Sequence, residues 1–363
     1  MLMISKTYPH HMIREIFEEP EALRRTIKLE RDRIHKIASE LSSENYEVIY
    51  ITGSGTSYHA GLASQYALSN LTGLIAAAIP ASEFPRWIPF RISRKTLLMA
   101  ISQSGESSDV LHAVEAASQR GIPILAVTNT LDSTLAKKAD YCIFPRSGRE
   151  LAVPATKTYI AQLMAIFMFS ADLALMNREN REIEEIRESL DKVPDILEET
   201  LKSSEPQIRE AAERFKNKYA IFLLGSGPNY ATALEGALKL KETCMIFAEG
   251  FATREFLHGP IRLVDERTLM IMIASPDEIE DAVRLSKSLR SFGASLIFIS
   301  EGNSSSSLLL SENSDETFLV SSGLQRIFSP ILYVLPLQIF AYYMSLAKGL
   351  NPDKPEKLTK VVK

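Results

Sequence analysis

The chain repeats itself at a fixed distance. Residues 48–61 read VIYITGSGTSYHAG and residues 220–233 read AIFLLGSGPNYATA, so Gly53 and Gly55 map onto Gly225 and Gly227 at an offset of 172 residues. The same offset carries TLLMAIS (Thr96 to Ser102) onto TLMIMIA (Thr268 to Ala274), Asp109 onto Asp281 and Gly121 onto Gly293. An offset that persists over this much sequence, with no net gap, marks two copies of one fold unit. After the matched strand the copies diverge. The first continues SQSGESS (Ser102 to Ser108), the second ASPDEIE (Ala274 to Glu280). An anion could sit in the first loop, with its hydroxyls and glycine, and would be repelled by the acidic second.

Each copy alternates short β-branched runs with helical periods. VIYIT (Val48 to Thr52), TLLMAIS and ILAVTN (Ile124 to Asn129) read as strands; Tyr58 to Leu71 and Ser108 to Arg120 read as helices. The strands are apolar throughout rather than alternating, the pattern of a parallel sheet covered on both faces. The expected fold class is therefore α/β, with two tandem doubly wound, flavodoxin-like parallel-sheet domains. A length of 363 residues accommodates two such domains. The expected divisions are an N-terminal helical segment (1–40), the first domain (41–176), a charged helical linker (177–207), the second domain (208–347) and a C-terminal tail (348–363). The linker is expected to bend or end near Pro194. Asn303 to Ser307 reads as a serine-rich surface loop.

Charge and composition narrow the function classes. With 41 basic and 45 acidic residues the net charge is −4, which argues against a broad nucleic-acid or membrane surface. The longest apolar stretch, Ile331 to Leu346, is broken by Pro336 and Gln338 and reads as a core helix rather than a membrane span. The start, with Lys6, His10, His11 and Arg14, does not read as a signal peptide. Cys142 and Cys244 read as structural, reduced thiols, which suits the cytoplasm.

In a doubly wound sheet, ligands bind beyond the C-terminal strand ends, near helix N-termini. GSGTS (Gly53 to Ser57) and SQSGESS both fall there. Glycines allow close backbone approach, and hydroxyls with free N–H groups at a helix start can hold a phosphate without a lysine. Serines also cap helices routinely, but two such loops at switch-point positions, lost from the second copy, favour phosphate binding. The loops match neither an ATP-binding P-loop nor a dinucleotide fingerprint. The second copy instead carries EGALKLKE, where Glu235, Lys239 and Glu242 share one helix face. A glutamate beside a lysine could act as a general base; a solvated face with ion pairs is the plainer alternative. His258, before Gly-Pro, belongs on a loop, and histidine is a residue type that can move protons. Lys354, Lys357, Lys360 and Lys363 read as an ordinary solvated tail.

The motifs GSGTSY, SQSGES, VPATK (Val153 to Lys157), EGALKLKE, HGP, the closing KP-x-x-L-x-K ending at Lys360, and REIFEEP (Arg14 to Pro20) resemble, in order and over essentially the whole chain, the sugar isomerase (SIS) family. Within it, the chain resembles the isomerase half of glucosamine-fructose-6-phosphate aminotransferase and the stand-alone glucosamine-6-phosphate deaminases. The resemblance implies that Gly55, Thr56, Ser57, Ser102, Gln103, Ser104 and Ser107, with Val153 and Ala155, bind a hexose 6-phosphate. It implies that Glu242 shuttles a proton between C1 and C2, that His258 assists ring opening in the neighbouring subunit of a homodimer, and that Lys360 closes over the substrate. Lys239 would lie beside the sugar O1, with Glu235 further back in the substrate-binding set. No metal or organic cofactor is implied.

Departures from the family pattern refine the expectation. Glutamine-dependent members begin with a catalytic cysteine and a glutaminase domain, whereas here Met1 and Leu2 lead directly into the isomerase-like region, so no self-sufficient glutamine-dependent synthesis is expected. Ala155 stands where the synthases usually carry serine, and KETC and EFLHGP also lean towards the deaminase-like group. The expected reaction is glucosamine 6-phosphate to fructose 6-phosphate and ammonia. The alternatives are another aldose-ketose isomerase, an ammonia-dependent synthase, a non-catalytic sugar-phosphate sensor, and a structural partner of a separate glutaminase.

Overall fold

Strands form where the apolar runs place them. The computed structural model describes residues 8–89, 91–177, 181–302, 304–321 and 323–360. The first seven residues, linker residues 178–180, Asn303 and Lys363, all within segments read above, lie outside that set. In chain order the first half comprises α1 (His11–Phe17), α2 (Glu19–Ser42), β1 (Val48–Gly53), α3 (Thr56–Thr72), β2 (Ile75–Pro80), α4 (Phe84–Trp87), β3 (Thr96–Ile101), α5 (Ser108–Ser118), β4 (Ile124–Val127), α6 (Thr134–Lys138), β5 (Tyr141–Ile143) and α7 (Lys157–Asn177). The second comprises α8 (Arg181–Ser189), α9 (Val193–Phe215), β6 (Ala220–Gly225), α10 (Pro228–Cys244), β7 (Phe247–Ala252), β8 (Thr268–Ile273), α11 (Ile279–Ser291), β9 (Ser295–Glu301), α12 (Ser304–Glu312), β10 (Glu316–Val320) and α13 (Pro330–Ala347).

Two five-stranded parallel sheets result, ordered β2-β1-β3-β4-β5 and, from the matching edge, β7-β6-β8-β9-β10. This is the doubly wound order in which the chain reverses direction beside the first strand, leaving a crevice there. The offset of 172 holds in three dimensions: β1, β2, β3 and α3 share both end points with β6, β7, β8 and α10. Even the turns repeat. Gly55 and Gly227 precede their helices at φ 54°, ψ −125° and φ 56°, ψ −130°, a region that L side chains avoid.

Packing repeats too. α7 lies against α2 and α3, and α13 against α9 and α10, while α3 meets α10 across the junction. One apolar cluster runs through both halves, joining Ile49, Ile51 and the α7 side chains to Ile221, Leu223 and those of α13. Lys157–Met176 and Arg326–Ala347 are apolar and long enough to cross a membrane, but here both are buried in this shared core. Ile331 to Leu346 is thus the core helix expected.

The linker breaks where proline directs it. A 3-10 turn, Leu190–Lys192, separates α8 from α9, and Pro194 falls in the first turn of α9, where no intrahelical N–H partner is lost. Asn303 to Ser307 is corrected: from Ser304 the chain is helical, not a surface loop. The serines pointed to a loop, but Leu308, Leu309 and Leu310 continue the segment in helical form and Leu310 is fully buried.

Candidate active site

The two glycine-serine loops of the first half converge on a cleft of about 280 Å³ at the C-terminal edge of β1 and β3. Gly55, Thr56 and Ser57 line it from the start of α3, and Ser102, Gln103, Ser104 and Ser107 from the loop before α5. Ser107 is the N-cap of α5 yet makes no side-chain capping bond, so its hydroxyl is not consumed by the helix. The loop is braced internally: the Gly105 N–H donates to Ser102 Oγ at 3.1 Å and the Glu106 N–H to Ser104 Oγ at 3.1 Å. The Glu106 carboxylate accepts from the N–H and hydroxyl of Thr134, at 2.8 and 2.9 Å, which ties it to the start of α6. Two helix N-termini thus face a cleft that carries hydroxyls and backbone donors, the composition of a phosphate site.

In the second half the corresponding space is filled by its own side chains. Asn229, at the position of Ser57, is fully buried and donates to Ser329 Oγ at 2.9 Å and Ser275 Oγ at 3.4 Å. Ser275 and Glu278 form a capping box, and Arg326 neutralises Asp277 and Glu278 at 2.5 Å each. Polar groups satisfied in this way have little left for a ligand.

Opposite the serine loops stands Glu242, near the end of α10, half-buried and lining the cleft. Lys239 lies behind it, its Nζ 2.6 Å from the Glu242 carboxylate, 3.3 Å from Glu235 and 3.2 Å from the Thr56 hydroxyl. Glu235 also accepts from Thr56 at 3.0 Å and meets His59 Nδ1 at 2.7 Å. Burial pushes the Glu235 carboxyl up, but Lys239, His59 and Thr56 outweigh it and hold Glu235 below its usual range. Burial likewise pulls Lys239 down, and the two glutamates reverse it, so Lys239 stays charged. Lys239, expected beside the sugar O1, does not reach the cleft, and Glu235, expected further back, lies behind it. Both are fully buried and neither lines the cleft: Lys239 is paired with Glu235 and Glu242 on its own helix, and Glu235 also with Thr56 and His59 on α3. The solvated-face alternative fails for the same reason.

The third wall is the 150–158 segment with the tail. Val153 and Ala155 line the cleft, and Lys360 reaches it from the tail. Lys360 Nζ donates to Glu150 at 2.6 Å and to the Ala152 carbonyl at 2.8 Å. Glu150, fully buried, also accepts from the N–H groups of Thr156 and Thr158 and from the Thr158 hydroxyl. Burial raises its pKa, and Lys360 with these donors more than offsets the rise, leaving Glu150 ionised. Further back, Asp353 accepts from the N–H groups of His11 and Met12 at 2.8 Å each, so the tail caps α1.

Of the residues read from the sequence, then, the serine loops, Val153, Ala155, Glu242 and Lys360 come together. His258 does not join them: it is exposed, between the 3-10 turns Glu255–Leu257 and Pro260–Leu263, and does not line this chain's cleft. Glu150, Thr158, Gln162 and His59 went unread. Gln162 donates to Ser57 Oγ at 3.1 Å. As an isolated polar residue in the apolar run of α7 it was the one with a visible signal. Glu150 had none, because its one cationic partner among the described residues, Lys360, lies 210 residues away.

Comparison with known proteins agrees with this geometry. The SIS domain family matches residues 41–171 and 215–348. Glutamine–fructose-6-phosphate aminotransferase [isomerizing] of Thermococcus kodakarensis is 37% identical over 358 residues, covering 98% of this chain and 58% of its own length. The Clostridium tetani protein of the same name is 37% identical over 369 residues, covering 98% and 59%. The chain therefore spans less than two thirds of these curated relatives. Among solved structures, the C-terminal domain of glucosamine-fructose-6-phosphate aminotransferase from Francisella tularensis superposes with a TM-score of 0.87 at 27% identity, covering 98% of this chain and all of that one. Glucosamine-6-phosphate deaminase of Thermotoga maritima shares the fold, with a TM-score of 0.76 at 24% identity, covering 97% and 99%. With two matched segments, one in each half and each enclosing a parallel sheet, the chain belongs to the SIS domain family and carries the domain twice.

Proposed function

We propose that the chain is an amino-sugar phosphate deaminase-isomerase that converts glucosamine 6-phosphate to fructose 6-phosphate and ammonia. The observation that carries this is the cleft in which the Glu242 carboxylate faces two serine-lined helix N-termini. The 6-phosphate binds Ser102, Gln103, Ser104, Ser107 and Ser57, which leaves C1 and C2 of the open-chain sugar towards α10. Glu242 removes the proton from C2, the C2–H electron pair forms the C1–C2 double bond, and O1 takes a proton from water, so the aldehyde becomes an enolamine. Glu242 then returns its proton to C1 while the nitrogen lone pair forms a C2 iminium, which takes up water and releases ammonia, the surplus proton returning to the hydroxide left by the water that protonated O1. Lys239, its Nζ 2.6 Å from the Glu242 carboxylate, keeps Glu242 aimed before each cycle. Lys360 covers the sugar from the tail.

In this reading the enzyme is a homodimer whose ring-opening group is the partner subunit's His258. An exposed histidine remote from its own cleft suits that role. The free thiols Cys142 and Cys244 suit the cytoplasm.

A second reading is ammonia-dependent synthesis in the reverse direction. The curated relatives are named as isomerizing aminotransferases, which favours it. A substrate panel separates the two. Release of ammonia from glucosamine 6-phosphate, with negligible amination of fructose 6-phosphate by millimolar ammonium, supports deamination. Net amination with no release supports synthesis. Turnover of a different aldose phosphate alone would overturn both.

A further inference from the structure

His59 has no part in the chemistry described so far, yet it is tied to the reacting carboxylate through two intermediaries. Its Nδ1 lies 2.7 Å from Glu235 Oε2, Glu235 Oε1 lies 3.3 Å from Lys239 Nζ, and Lys239 Nζ lies 2.6 Å from Glu242. Glu235 and Lys239 are fully buried, and only the two ends, His59 and Glu242, have any exposure. A buried charge requires partners, and here each charge is balanced by the next. Glu235 is ionised and can only accept, so His59 Nδ1 carries the hydrogen. The chain of contacts also crosses the junction between the halves. His59 and Thr56 lie three residues apart on one face of α3, beside the phosphate loop, whereas Glu235, Lys239 and Glu242 lie on α10. Thr56 closes the inner link, donating to Glu235 at 3.0 Å and accepting from Lys239 at 3.2 Å.

The two oxygens of Glu235 divide the work. Oε1 is shared by Thr56 and Lys239, while among the described residues the one donor within bonding distance of Oε2 is His59. Without His59, Oε2 is a buried carboxylate oxygen lacking a hydrogen bond. Lys239 is the nearest cation, and satisfying that oxygen draws its ammonium away from Glu242. We propose that His59 is a positioning residue, through which the phosphate-loop helix of one half fixes the aim of the Glu242 carboxylate in the other. This rests on the reading of Glu242 as the proton shuttle. His59 does not line the cleft, so its removal acts on the chemical step rather than on binding.

The test compares wild type, His59→Leu and His59→Asn, whose amide Nδ2 stands where the imidazole Nδ1 stood. With glucosamine 6-phosphate, kcat of His59→Leu is expected to fall roughly tenfold to a hundredfold while KM changes by less than about threefold. His59→Asn is expected to recover most of the loss. Equal kcat in all three overturns the proposal, as does a His59→Leu loss that Asn does not restore. A second readout is independent of turnover. In ¹⁵N-labelled wild type, the imidazole signal lost in His59→Asn should report a protonated Nδ1, and it should shift in Lys239→Met. If the wild type turns over no phosphosugar, the Glu242 reading fails, and the ¹⁵N signal alone then decides the link. An unprotonated Nδ1, or one indifferent to Lys239→Met, overturns it.

Discussion

The Glu15 carboxyl accepts the N–H groups of Leu151 and Ala152, the residues leading into the carbonyls that Lys360 grips. Burial pushes its pKa up to about 7, with Glu150 adding to the rise, against the pull of those two N–H groups and of Lys157. The unfolded value is 4.5, so the contribution of Glu15 to stability is fully present below pH 4.5 and is lost as pH rises through about 7. The size of the loss is about 3 kcal/mol, from about 1.4 kcal/mol per unit. Glu15→Gln, which cannot ionise, is expected to show a flatter stability profile than wild type between pH 4.5 and 8 in urea unfolding. Parallel profiles would show that Glu15 does not titrate in this window. At this scale the sequence was read unevenly. Glu242, Lys239 and Glu235 were placed on one face by spacing alone, but their burial was not visible, because it depends on α3 bringing Thr56 and His59 against that face.

The loop before α5 leaves no room for a side chain at Gly105. Its φ is +68°, and a Cβ there would meet Ser133 Oγ at 2.2 Å. Ser133 caps α6 through the Ala136 N–H, so an added methyl strains the turn and uncaps a helix together. Gly105→Ala is expected to cost about 2 kcal/mol and to weaken binding of inorganic phosphate, read by thermal melting and by titration. Unchanged phosphate affinity would remove this loop from the phosphate site. The tail offers a second check. Asp353→Ala strips the cap from α1 and should lower its protection by about 1 kcal/mol. Hydrogen exchange should then quicken at His11 and Met12 and along the tail to Lys360; unaltered tail exchange would show that the cap does not hold it. Strands and helices were legible here because apolar runs and the offset of 172 declared them twice. The Asp353 cap was not, since its partners lie 342 and 341 residues away. The serines of α12 misled because composition was weighed over the leucines that follow.

At the scale of the whole molecule, a duplicated unit has divided one task. The first half keeps open the loops that suit phosphate, and the second closes its own with Asn229, Ser275 and Ser329 and presents a carboxylate instead. The division was visible as SQSGESS against ASPDEIE, but not the way the halves join. They share one core, and α3 meets α10, so the phosphate loop and the carboxylate sit on two helices in contact. That arrangement brings the serine loops and the Glu242 carboxylate to one cleft. The most direct measurement is NMR of glucosamine 6-phosphate with wild type and Glu242→Gln, following the ketose product while saturation transfer reports binding. Appearance of fructose 6-phosphate with wild type, and its loss in Glu242→Gln with the phosphosugar still bound, is the expected result. Conversion that survives in Glu242→Gln, or a wild type that binds the phosphosugar and leaves it unchanged, would contradict it.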